Sequence, residues 1–364
     1  MFARAGIRRH EADAAVAALD IHELPTARGC TYVLGARDFA WALTLGQGAA
    51  ESTAKILDKL GVSREEIHAL ESQTLQLLQD AGANGTRDPR QLKDQLGPAV
   101  CRLGEEGKEK GASTTLPTVL GLLQADGRIR RVSVNGRFDQ QRYAYTAWGL
   151  PAATESPEQA RAQLMENHLS WTGGTTLKQT QWFTSFTVAQ TKAALAAVHA
   201  VEVRIEGIGP GEDGTAGVEA EDAPGLWMLP ADVDAAGDFE TPQEEQIQLL
   251  AGSDSLFLLR RNASDHFAQA DRENLQLSTK YVLQADLPDH PIVDRGRIIG
   301  LWQYDPGQER IAHWLFGAPT EAVKQRIREV EAFIGEDLGD FRSFSLDSPS
   351  SGQKRIDALN QAGS

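Results

Sequence analysis

Residues 114–147 read TTLPTVLGLLQADGRIRRVSVNGRFDQQRYAYTA. Leu116, Val119, Leu120, Leu122 and Leu123 recur at helical spacing, and Ala125-Asp126-Gly127 is a helix stop signal. Arg128 to Val134 alternates as a strand. Asn135-Gly136 then makes the strongest short hairpin signal in the chain, and Arg137 to Ala147 returns as a second strand through Tyr143 and Tyr145. The hairpin is basic: Arg128, Arg130, Arg131, Arg137 and Arg142 face only Asp126 and Asp139. Arginine's planar fork suits phosphate oxygens and guanine edges.

Upstream, Ser63 and Glu66 form a capping box that opens a helix over residues 63–80, with Ile67, Leu70, Thr74, Leu75 and Leu78 at helical spacing. Asp88-Pro89 opens a short helix with Leu92 and Leu96. Helix, short helix, helix and basic hairpin is the layout of a winged helix-turn-helix. In that layout the third helix enters a major groove and the hairpin lies along the backbone. The candidate DNA-binding residues are therefore Arg128, Arg130, Arg131, Arg137 and Arg142 on the hairpin, with Thr115 and Thr118 at the start of the third helix.

The pattern repeats loosely downstream. Helices are expected at residues 157–170, 176–183 and 187–198, the last opened by a Thr-x-x-Gln box, followed by a strand at 201–206. The last third is mixed, with an apolar strand-like run at Leu256–Leu259 and a hairpin around Asp294-Arg295-Gly296. A strand at Arg310–Phe316, an amphipathic helix at Thr320–Phe333 and a polar tail from Ser348 complete it. The expected fold class is α+β, with tandem winged helix-turn-helix units and a C-terminal mixed α/β unit. Its segments are an N-terminal helical segment (1–60), a first winged helix (61–150) and a second with an acidic loop (151–245). A C-terminal unit (246–347) and the tail (348–364) follow.

The chain has 364 residues and a net charge of −15, which at face value argues against a polyanion partner. Eleven acidic residues lie between Gly211 and Glu245, a stretch without Lys or Arg, so the remainder holds 36 basic against 40 acidic groups. That stretch reads as a solvated loop with one apolar island, Leu226 to Leu229, docked as a strand. It lacks the Asp-x-Asp-x-Asp-Gly spacing of a calcium loop. The two cysteines, Cys30 and Cys101, exclude a disulfide framework and fit a reducing cytoplasm. No secretory leader is expected from residues 1–16, and no run of about 18 apolar residues occurs, so no membrane contact is expected. His10, His22, His68, His168, His199, His266, His290 and His313 form no ligand-spaced set. There is no phosphate loop and no nucleophile elbow, so neither metal nor cofactor is expected. Trp171 and Trp182, flanking a helical pair, read as core residues.

Several stretches together resemble the AlkZ-like winged-helix family of bacterial DNA glycosylases and related DNA-binding proteins. Ala27-Arg28-Gly29-Cys30-Thr31-Tyr32-Val33-Leu34, followed by Ala36 to Trp41, resembles the family's RGTLHLV…ED..W segment. Leu116–Ile129 is similar to its first winged-helix helix and wing. Asn167–Phe183, with Leu169, Gly173-Gly174, Thr175, Leu177 and Gln181-Trp182-Phe183, is similar to its second unit. Asp294-Arg295-Gly296-Arg297-Ile298-Ile299-Gly300-Leu301-Trp302 resembles its C-terminal hairpin. The resemblance implies three tandem winged-helix units around a concave DNA-facing channel. It also implies, for glycosylase members, a Gln-x-Gln or Gln-x-Asp pair upstream of the RGTLHLV-like segment that positions water at the sugar C1′. No Gln precedes Ala27 here, so the helix carrying that pair is expected to be truncated or absent, and hydrolysis is left open. Gln246-Ile247-Gln248 and Gln303-Tyr304-Asp305 match the spelling but lie in the wrong domain.

The leading expectation is a cytoplasmic, nucleoid-associated winged-helix protein that binds duplex or damaged DNA. The alternatives are an active glycosylase excising alkylated or bulky-adduct bases, and a protein-interaction module without DNA binding whose partner docks on the 211–245 loop.

Overall fold

The computed structural model describes residues 2–82, 85–140, 142–151, 153–204, 225–268, 270–271, 287, 289–339 and 349–363. Short helices α1 (Phe2–Ala5) and α2 (Arg9–Ala18) lead into an antiparallel pair, β1 (Ile21–Pro25) and β2 (Thr31–Gly35). Then come α3 (Phe39–Lys59), α4 (Arg64–Asp80), α5 (Pro89–Leu96), α6 (Gly104–Glu109) and α7 (Leu116–Ala125). The hairpin follows as β3 (Ile129–Ser133) and β4 (Tyr143–Ala147). Next are α8 (Pro157–Thr172), α9 (Leu177–Thr184), α10 (Val188–Ala197), β5 (Val201–Val203), β6 (Leu226–Met228) and α11 (Pro230–Gly237). The chain continues through β7 (Ile247–Leu249), α12 (Ser255–Leu258), β8 (His290–Asp294), β9 (Arg297–Asp305) and β10 (Arg310–Leu315). It ends with α13 (Glu321–Phe333) and α14 (Pro349–Ala362). This is an α+β chain. It divides into two compact units, one of Glu11–Glu166 and Phe183–Ala197, the other of Met1–His10, Asn167–Trp182 and Val198–Ser364.

In the first unit local chemistry places the helix ends. Ser63 and Glu66 form the capping box of α4, and Asp88 and Gln91 form one for α5, with Pro89 at its first turn. An antiparallel bridge ties Arg87 to Tyr145, so the hairpin is fastened to the segment between α4 and α5. The core gathers Leu57, Ile67, Leu78, Leu92, Val119, Leu123 and Ile129, all essentially without solvent contact. Gly127, just past α7, has φ +66°, and a β-carbon there would sit 3.1 Å from Leu150 and 3.3 Å from Leu43. Gly127→Ala is therefore expected to cost about 1–2 kcal/mol, read as a lower urea midpoint at unchanged slope.

The second unit is built on an antiparallel sheet of order β10-β9-β8-β7. One face packs Ile292, Trp302, Tyr304 and Ile311 against Val323, Ile327 and Val330 of α13. The other packs Val293, Ile298 and Leu301 with Phe257, Phe267 and Leu359 of α14. Both faces are covered, which explains why β9 is buried almost continuously rather than in alternation. The β8–β9 turn places Arg295 and Gly296 at φ +47° and +82°, so the turn read from the sequence is present and β9 starts at Arg297.

Three sequence expectations change. The run at Leu256–Leu259 is not a strand: Asp254 caps Leu256 N at 2.8 Å and starts α12. The polar tail is helix α14, which presents Ile356 and Leu359, three residues apart, to the sheet. In the acidic stretch, Leu226–Met228 is a docked strand, pairing with Val201–Val203, but Pro230–Gly237 is helical with Pro230 at its first position. The stretch 205–224 lies outside the described residues.

Candidate nucleic-acid interface

The register of β3 and β4 sorts the hairpin's side chains onto two faces. Ile129, Arg131 and Ser133 lie opposite Ala147, Tyr145 and Tyr143, while Arg130 and Val132 lie opposite Thr146 and Ala144. Ile129 and Tyr145 join the core. The Arg131 guanidinium lies 5.2 Å from the centre of the Tyr143 ring, a cation–π contact. The Glu23 carboxylate of β1 lies close enough for its charge to act on the Tyr143 phenol. Burial, first, and that carboxylate push Tyr143 up to about 12.

Behind the hairpin sits His22 of β1, 3% exposed, edge-on to Phe39 at 6.3 Å and to Trp148 at 5.6 Å. Neither ring nitrogen has a hydrogen-bond partner among the described residues. Burial, reinforced by Arg130 and Arg131, lowers its pKa to about 4. Arg130 is half-buried, and desolvation holds it below the ordinary guanidinium value.

The five arginines thus stand differently. Arg128 and Arg142 are exposed at the two ends of the hairpin. Arg130 and Arg131 lie half inside. Arg137 pairs with Asp139 at 2.5 Å, which offsets its charge near the tip. Thr115 and Thr118 are 2% and 6% exposed, and the Thr115 hydroxyl accepts from Cys101 N at 3.1 Å. The physical reason is that α3 and α4 both pack on α7, which is buried along most of its length. The expectation that this helix enters a major groove does not fit that packing: Arg128 and Arg142 of the hairpin are exposed, whereas α7 is largely buried.

The two Gln-containing triplets have structural roles. Gln248 accepts from Arg326 at 2.8 Å, and Gln303 donates to buried Asp289 at 2.6 Å. Asp305 accepts from the backbone of Gly307 at 2.9 Å and of Gln308 at 3.2 Å. Among the described residues no cluster of three His, Cys, Asp or Glu is placed to hold a metal ion. Trp171 corrects the core expectation: it is 53% exposed. Trp182 is half-buried.

His22, His168 and His290 are all buried and lowered to about 4 by desolvation first, then by Arg130 and Arg131, Arg260, and Arg355 respectively. The unfolded chain binds these protons near 6.5, so between there and about 4 it holds more protons than the folded chain. Stability is full above the upper value and falls as pH drops through this window. At pH 5 the expected loss is about 2 kcal/mol per histidine. Urea unfolding at pH 7 and pH 5 checks this, and coincident curves would refute it.

The solved structure of Streptomyces sahachiroi DNA glycosylase AlkZ is similar, with TM-score 0.60 at 16% identity over 92% of this chain and 84% of that one. The sequence profile described as DNA glycosylase AlkZ-like matches residues 1–334. The chain belongs to the AlkZ-like family, and is thereby related to DNA-repair glycosylases. No curated protein matches it. No helix among the described residues is long and apolar enough to cross a membrane.

Proposed function

We propose that this chain binds duplex DNA, intact or damaged, through a winged-helix unit in which the hairpin rather than the third helix makes the contact. The order α4, the Arg87 bridge, α5, α7 and β3–β4 supports the winged-helix reading. The observation that carries the proposal is the exposure of Arg128 and Arg142 at the ends of a hairpin whose other arginines are anchored. Two cations so placed suit phosphates across a groove, a contact that positions DNA without reading its sequence. The protein would then act in the cytoplasm, at the nucleoid. Anisotropy of a labelled duplex, titrated with protein at rising salt, tests this. Binding that weakens steeply with salt and is indifferent to sequence is expected. No binding to duplex, nicked or branched DNA would favour the protein-interaction reading, for which the exposed acidic segment Asp238–Glu245 offers the surface.

A second reading, hydrolysis of an N-glycosidic bond, is favoured by one observation. The Glu23 carboxylate lies near the hairpin, close enough for its charge to raise the Tyr143 phenol. A carboxylate held there suits polarising a water or stabilising a cationic sugar. A timed assay for abasic sites on alkylated duplex decides it; no product above the buffer blank removes this reading.

A further inference from the structure

Three polar side chains of the first unit meet where the hairpin passes over β1. Arg130 of β3 stands directly opposite Thr146 of β4 in the antiparallel ladder, so the two share one face of the hairpin. Trp148 continues that face two residues beyond Thr146, its amide donating to the Arg128 carbonyl at 2.7 Å. The His22 ring meets the Trp148 ring edge-on at 5.6 Å. After burial, the charges that act on His22 are those of Arg130 and then Arg131.

These groups share an unmet need. His22 and Thr146 are each 3% exposed, and both His22 ring nitrogens and the Thr146 hydroxyl lack a hydrogen-bond partner among the described residues. Buried polar atoms left in this way are costly, and native proteins rarely carry several together. Arg130 adds a charge: burial alone lowers its guanidinium from the ordinary value, and no carboxylate or hydrogen bond opposes that shift. The nearby acids are engaged elsewhere. Asp139 pairs with Arg137 at 2.5 Å, and Asp126 accepts from Gln47 at 3.4 Å. Glu23 follows His22 in β1, so it points to the other side of the strand, where its charge acts on Tyr143.

From this arrangement we infer that His22, Arg130 and Thr146 form a seat for one phosphate oxyanion. Arg130 is half-buried, so the seat opens to solvent at the guanidinium, with the two buried side chains as its floor. A water molecule would satisfy the hydroxyl and the imidazole but leave the guanidinium without a counter-charge. An oxyanion meets both needs, since it accepts from the guanidinium fork, the hydroxyl and a ring N–H at once. Four tetrahedral oxygens reach donors arriving from three side chains better than the two coplanar oxygens of a carboxylate. The phosphate is that of a DNA backbone or of a free anion, and the chemistry of the seat is the same for either. This inference stands apart from the hairpin proposal, which rests on Arg128 and Arg142.

The test uses the full chain with isotope-labelled histidine, titrated with inorganic phosphate at constant ionic strength and, separately, with a short DNA duplex. The readout is the His22 ring resonance, assigned by its loss in His22→Phe, and its pH titration. Ligand is expected to shift that resonance saturably and to move the His22 midpoint upward from about 4, because a neighbouring anion favours the charged imidazole. Arg130→Gln should weaken the response roughly tenfold and Thr146→Val several-fold. Thr146→Val keeps the side-chain shape, so it tests the hydroxyl rather than the fold. A response to inorganic phosphate assigns a free anion, and a response to duplex alone assigns the DNA backbone. If neither ligand moves the His22 resonance, or if Arg130→Gln and Thr146→Val both respond as the parent does, the seat is overturned. Arg128→Ala/Arg142→Ala should keep the phosphate response, so loss of duplex binding in that variant reports on the hairpin proposal separately.

Discussion

Arg128→Ala combined with Arg142→Ala is expected to weaken binding to a labelled duplex by roughly ten- to a hundredfold at about 50 mM salt, with the salt slope falling by about two units. The reasoning starts from exposure. These two cations reach solvent from opposite ends of the hairpin, so removing them takes two phosphate contacts and leaves the strands paired. The loss should be nearly equal for all sequences, because phosphate contacts carry no base information. Arg130→Ala with Arg131→Ala makes the contrasting experiment. Arg131 covers the Tyr143 ring and Arg130 lies beside His22, so that pair should lower stability as well as affinity. If the Arg128 and Arg142 variant binds as tightly as the parent, with the same slope, the hairpin is not the interface.

Leu123→Ala should destabilise the first unit by about 2–5 kcal/mol, seen as a shift in the urea midpoint with unchanged slope. Leu123 has no exposed surface and packs in α7 among Leu57, Ile67, Val119 and Ile129. Truncating it removes the transfer free energy of its methyl groups and leaves a cavity that helices on two sides cannot easily fill. A surface recognition helix would tolerate the same change at a fraction of that cost. The measurement therefore distinguishes a central core helix from a groove-reading one.

Much of the local architecture is legible in residue order. Ser63 with Glu66, Asp88 with Gln91 and Thr187 with Gln190 form capping boxes, and Gly127 and Arg295-Gly296 turn the chain where expected. Each of these depends on groups within a few residues of one another, which a one-dimensional reading can see. The same holds for β5–β6, whose apolar island stood out against its acidic surroundings. The site was legible only as a list of cations. Glu23 and His22 carried no local signal, because strand β1 brings them to Tyr143 and Arg130 across more than a hundred residues. The exposure of Trp171 was equally hidden, since an aromatic at helical spacing looks the same whether or not a neighbour covers it.

By itself, then, the sequence determined where α4, α5 and the hairpin begin and end, and that five arginines lie on that hairpin. Those properties arise from backbone dihedral preferences, caps and turns acting over a few residues. Only the tertiary structure decided that α7 is enclosed by α3 and α4, that Arg137 is offset by Asp139 while Arg128 and Arg142 stay open, and that α14 closes the second face of the sheet. Burial and charge availability depend on which distant segment covers a face, and that is set by packing rather than by sequence neighbours.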